Sequence, residues 1–199
     1  LEYADCQDLS KFIEKNKKIS KDQILHIFSQ IIFGLSYIHS KKIIHRDLKC
    51  ENIFLFKNKL VKIGDFWLSK EISDGKLAKT VIGSPLFFAP EILLNMPYSF
   101  PADIWAAGCI LYQLMTGRHP FLSKSSQELI GKVLCRKPSI PSGCDKRLAD
   151  LFFKMVDKEP ENRPTAADIL QIPMIKKKLA SIQSNIDLKS QVIRSSSSK

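Results

Sequence analysis

The run ADIWAAGCILYQLMT, residues 102–116, is apolar on almost every side of the helix it predicts. Such a helix has no face to offer water, so it belongs inside a core with other helices around it. Gly117 supplies its stop. The segment 21–39 predicts a second helix, with Ile24, Phe28, Ile31, Ile32, Leu35 and Ile38 at three- and four-residue spacing on one face. His39 at its end reads as a satisfied helix-end histidine. Shorter helices are expected at 8–16, 125–135, 146–156 and 165–171. Asp8 and Ser125 serve as cap candidates, and Thr165 with Asp168 forms a near-variant of a capping box. β-rich runs flank Asn58-Lys59 and predict a small hairpin. The fold class is therefore mainly α with a small β-hairpin. Residues 66–91 hold Gly75, Gly83, Pro85 and Pro90 with weak periodicity, and loops of that length are often functional.

Composition narrows the function classes. The 199 residues are 44% apolar and 26% charged, which suits an ordinary core and argues against wholesale disorder. No run approaches the roughly 18 apolar residues of a bilayer span. The opening LEYADCQDL lacks the pattern of a signal peptide. Lys plus Arg is 31 against 20 for Asp plus Glu, giving +11. Residues 174–199 carry six basic side chains and one acidic, Asp187, hence +5 of that total. This balance permits nucleotides, acidic proteins, nucleic acid or lipid heads and selects none. Lys176-Lys177-Lys178 comes with no aromatic platform, so nucleic acid is not an expected partner. The five cysteines form no CxxC and no complete disulfide set. Reduced thiols and an intracellular protein are expected, in the cytoplasm with the nucleus also open. The four histidines make no metal-ligand pattern.

The chemistry concentrates in three motifs. His45-Arg46-Asp47-Leu48-Lys49-Cys50-Glu51-Asn52 fits HRDLxxxN. Thirteen residues after Asn52, Asp65-Phe66-Trp67 stands where DFG is expected, and Ala89-Pro90-Glu91 matches APE. Phosphoryl transfer needs an acceptor hydroxyl held in line with a γ-phosphate and divalent ions to offset charge. Asp47 suits the proton, and Asn52 and Asp65 are oxygen ligands suited to Mg²⁺. Through these motifs the chain resembles a eukaryotic serine/threonine protein kinase over residues 1 to about 175. HSKKIIHRDLKCENIF, AKTVIGSPLFFAPEIL, PYSFPADIWAAGCILYQLMTGRHPF and ENRPTAADIL resemble the NIMA-related group more narrowly.

The resemblance implies a large helical lobe with a hinge, the small lobe being absent from the chain. Residues 1–7 correspond to the end of a small-lobe strand and the hinge, 8–175 to the large lobe, and 176–199 to a basic, Ser-rich mobile tail. It implies Asp47 and Lys49 as catalytic residues, with Lys49 favouring Ser/Thr over Tyr acceptors. Asn52 and Asp65 are implied as Mg²⁺ ligands, with the Phe66 ring buried behind the ion. The ATP site is implied at Glu2 and Ala4 of the hinge, Asp8 as a ribose or substrate contact, and Phe54 as an apolar floor. Thr80 stands at the activating phosphosite, and Arg46 and Lys70 at the pocket that pairs with its phosphate. An upstream kinase or self-phosphorylation would supply that group. Ser84 stands where the family usually has Thr and can still bond near Asp47 and Lys49. Glu91 and Arg163 correspond to a buried ion pair, and Asp103 to the aspartate that accepts N–H groups from the HRD turn.

Trp67 departs from the pattern. Glycine permits a close approach that tryptophan resists, so the indole either tilts Asp65 away or points outward. Two functions follow: phosphate transfer from ATP to Ser/Thr hydroxyls of protein substrates in a complete two-lobed protein, or a non-catalytic kinase-like binding or regulatory module. With half a pocket, this chain alone is expected to bind ATP poorly.

Overall fold

A computed structural model describes residues 7–71, 78 and 82–196, with side chains described as far as 185. The order is α1 (Leu9–Lys15), α2 (Lys21–Ser40), β1 (Ile43–Ile44), β2 (Ile53–Leu55), β3 (Val61–Ile63), β4 (Lys70–Glu71), α3 (Pro90–Leu93), α4 (Pro101–Thr116), α5 (Ser126–Cys135), α6 (Lys146–Met155), α7 (Ala166–Gln171) and α8 (Pro173–Ser196). The molecule is mainly helical with a few short antiparallel strands, as the sequence predicts.

Helix α4 runs through the core. Ile104, Trp105, Ile110, Leu111 and Leu114 are all buried on it, each worth roughly 1.5–3 kcal/mol. Trp105 stacks on Phe121 at 5.3 Å between centroids. Gly117 ends the helix in the left-handed region, φ 71°, and its N–H bonds Gln113 O at 2.8 Å. Helix α2 lays its predicted apolar face on α4, α7 and α8. Ser20 and Gln23 close its start with a reciprocal capping box.

β2 and β3 pair in the expected hairpin, Phe54 opposite Lys62, and Lys59 at its turn has φ 68°. β1 pairs with β4, Ile44 opposite Lys70, which ties the segment before the HRD turn to the segment after Asp65. Residue 78 is anchored by two backbone bonds with Tyr98, each 2.9 Å.

The C-terminal stretch is helical, α8 running on to Ser196. Ile175 is fully buried and Leu179 packs on the core, so the helix starts from an anchored turn. Among the described residues no helix is long and apolar enough to cross a membrane.

Candidate active site

The HRD turn hangs from the start of α4. Asp103, 2% exposed, accepts the His45 N–H at 2.9 Å on Oδ2 and the Arg46 N–H at 3.1 Å on Oδ1. His39, at the end of α2, bonds the same Oδ2 at 2.9 Å. One buried carboxylate thus joins two helix ends to the turn. Arg46 takes a left-handed conformation, φ 69°. Its Nε donates to Leu68 O at 2.5 Å.

His45 braces the next residue. The Asp47 N–H donates to His45 Nδ1 at 3.3 Å, so the ring proton sits on Nε2 and meets Gly64 O at 2.9 Å. Both ring nitrogens are therefore occupied.

Asp47 is 7% exposed and surrounded by donors. Lys49 Nζ stands 2.7 Å from Oδ2, and Asn52 Nδ2 donates to Oδ2 at 3.1 Å and to Asp47 O at 2.8 Å. Ser84 Oγ donates to Oδ1 at 2.9 Å and accepts from Lys49 Nζ at 2.9 Å. Burial pushes this carboxyl up, but the bonds from Lys49 and Ser84, the Lys49 charge and the Asn52 amide outweigh it. The carboxyl is held below its ordinary value.

Asn52 and Asp65 lie at the same end of the β2–β3 hairpin. Asn52 O accepts the Gly64 N–H at 2.9 Å, one residue before Asp65. Both donors of the Asn52 amide go to Asp47, which leaves its carbonyl oxygen for a cation. Asp65 has φ 59° and ψ 65°, and its carboxylate is exposed. An amide oxygen and a carboxylate are hard donors that fit Mg²⁺. Asn52 thus touches Asp47 directly through its side chain and the residue before Asp65 through its backbone.

Phe54 lies against Gly64, where an added Cβ would stand 2.5 Å from its ring. Asp8 bridges to Phe54 through the backbone and caps α1, its Oδ1 accepting the Lys11 N–H at 2.9 Å and its Oδ2 meeting Lys11 Nζ at 3.0 Å. Glu2, Ala4 and Thr80 lie outside the described residues. Lys70 is exposed on β4, one strand from the HRD turn.

A family model of the protein kinase domain matches residues 1–175. The chain belongs to the protein kinase family. It is a eukaryotic serine/threonine kinase domain closely related to the NIMA-family kinases. It is 41% identical over 181 residues to serine/threonine-protein kinase Nek5 of Homo sapiens, covering 88% of this chain and 25% of that protein. Against serine/threonine-protein kinase Nek4 of Mus musculus the identity is 36%, covering 82% of this chain and 21% of the relative. Serine/threonine-protein kinase plk-1 of Caenorhabditis elegans matches at 39%, over 85% of this chain and 26% of its own length. The chain spans about a quarter of the length of these relatives.

In this kinase domain Trp67 points outward and is 91% exposed. Residues 66–68 form a single 3-10 turn, and Trp67 is absent from the positive-φ residues. In this conformation position 67 has backbone angles that any residue adopts. Phe66 requires a correction. Its ring is 44% exposed rather than buried, and it meets His45 edge-on at 5.0 Å. The described elements on its other side form an open apolar groove between α2, β3 and α8, which leaves the ring uncovered.

Glu91 and Arg163 form a bidentate pair at 2.7 and 2.8 Å. The remaining guanidinium N–H groups reach Asp157 O, Pro101 O and Lys158 O, so every donor is used. His39 is the satisfied helix-end histidine expected, though its partner Asp103 lies 64 residues away and nothing local marks it. The need for glycine at 64 shows only once Phe54 lies across it; its place just before Asp65 was the available signal.

Proposed function

We propose that this kinase domain, in its complete protein, transfers the γ-phosphate of ATP to serine or threonine hydroxyls of protein substrates. The observation that carries this reading is Asp47, a buried carboxylate kept ionised by Lys49, Ser84 and Asn52. A carboxylate held below its ordinary range is a weak proton sink in the ground state. It first orients the acceptor hydroxyl. The hydroxyl oxygen bonds to phosphorus as the bond to the ADP oxygen breaks, and the hydroxyl proton passes to Asp47.

Lys49 accompanies the γ-phosphate, and the Ser84 hydroxyl couples its ammonium to Asp47. Asn52 and Asp65 would hold Mg²⁺, which when bound offsets charge on the phosphate oxygens. Glu2, Ala4, Asp8 and Phe54 are assigned to the nucleotide. Asp8 must loosen its Lys11 contact to serve there. Arg46 and Lys70 would receive a phosphate on Thr80, placed by an upstream kinase or by self-phosphorylation. Residues 8–175 make up the large lobe in this reading. The described cysteines Cys50, Cys109, Cys135 and Cys144 are free thiols, which supports an intracellular setting, cytoplasmic or nuclear. The outward course of Trp67 favours catalysis over a non-catalytic module.

The test is phosphate incorporation by the full-length protein beside its Asp47→Asn form. The variant should lose about 10²–10⁴-fold in rate. Equal incorporation by both would defeat the assignment.

A further inference from the structure

A second concavity, about 610 Å³, lies far from Asp47. It is bordered by the loop between α1 and α2, the end of α4 and the loop before α6. Helix α4 runs from Asp103 at the HRD turn to Thr116 at this cleft, about 20 Å at 1.5 Å per residue. An occupant here leaves the phosphate-transfer cleft open.

Its lining is one-sided in charge. Lys17, Lys18 and Arg118 are exposed at its edge and have no ion-pair partner among the described residues. The only carboxylate lining it, Asp145, is already paired with Lys21 at 2.5 Å. Three positive charges are left over. The N-terminus of the 20-residue α2 opens at the same place and adds partial positive charge. Below this edge the floor is apolar, with Ile19, Leu114 and Met115 among its lining. The volume falls in the range of ligand clefts.

Charge also decides the occupant. Residues 174–199 carry +5 and the whole chain +11, so neither the C-terminal stretch nor a second copy complements the cleft. No aromatic ring lines it, so it offers no platform for stacking bases. We propose that it docks an acidic peptide segment of a partner protein. An apolar side chain sits on the floor, and flanking carboxylates meet Lys17, Lys18 and Arg118.

Fluorescence anisotropy of the full chain tests this, with a labelled peptide holding a leucine between runs of glutamate. Binding should weaken at least about tenfold in the triple variant Lys17→Glu, Lys18→Glu, Arg118→Glu. It should also weaken as salt rises and when serine replaces the leucine. Single-stranded DNA of the same charge should bind more weakly than the peptide. A second readout needs no substitution. Cys144 lines the cleft, whereas Cys135 is exposed outside it. Bound peptide should slow alkylation of Cys144 and leave Cys135 unchanged. Absent peptide binding, equal binding by the triple variant, tighter binding of DNA or an unprotected Cys144 would each overturn the proposal. All of these read binding, so they stand apart from the phosphate-transfer test.

Discussion

Gly83 has φ 116°, and a Cβ there would stand 2.5 Å from Arg46 O and 3.4 Å from Asp47 Oδ1. Backbone cannot step aside as a flexible side chain can. Gly83→Ala should therefore cost roughly 1–3 kcal/mol, read as a lower urea midpoint; an unchanged midpoint would show that the turn relaxes freely. His119 sets a pH dependence. Its ring is buried against Phe87, Nε2 has no partner, and burial lowers its pKa from 6.5 to about 4. The unfolded chain takes up a proton near pH 6.5 that the folded chain refuses until about 4. Stability is thus intact above 6.5 and falls as pH drops through that window, by on the order of 3 kcal/mol. Denaturation at pH 7 and near 4.5 should show a smaller acid loss in His119→Leu; equal losses would remove His119 from the account. The meeting of Asp47, Lys49 and Asn52 was legible because one short loop carries all three. The His39–Asp103 bond was not, because nothing local marks a partner 64 residues away. Phe66 misled because its sequence neighbours say nothing of what covers the ring.

Helix starts are written in local sequence, so they were among the most legible features. Thr165 and Asp168 form the reciprocal box expected of them. Ser125 caps α5 with its Oγ, but the Glu128 carboxylate turns to the Lys124 N–H instead. Thr165→Ala should cost about 1 kcal/mol, seen as a lower thermal midpoint, and an unchanged midpoint would show the box to be idle. The link between α3 and the turn before α7 is of another kind. Glu91 and Arg163 are buried and 72 residues apart, and they came from resemblance rather than from pattern. Arg163→Met leaves the Glu91 charge buried alone, at a cost of roughly 3–5 kcal/mol. Adding Glu91→Leu should recover part of that loss in chemical denaturation. If the double variant is no more stable than Arg163→Met, the stranded charge is not the cause.

At the scale of the whole molecule, exposed rings and net charge oppose each other. Phe33, Tyr37 and Phe66 border an apolar groove of about 710 Å³, while +11 keeps copies apart. Salt shortens the reach of that repulsion without weakening apolar contact. The purified chain should therefore associate more as salt rises, by sedimentation velocity, and Phe33→Lys should reduce the effect; association that falls with salt would contradict this balance. The central helix made the core legible, whereas the length of α8 was not, because its apolar positions are sparse and its partners distant. The two tryptophans have a further use. Trp105 is closed in by Phe121, Lys158 and Arg163, while Trp67 stands in water two residues from Asp65. Under ultraviolet excitation the first glows from a dry interior and the second from solvent, where a collisional quencher reaches it. A rearrangement of residues 66–68 changes how far the quencher reaches that lamp, so the segment after Asp65 carries its own label-free optical gauge.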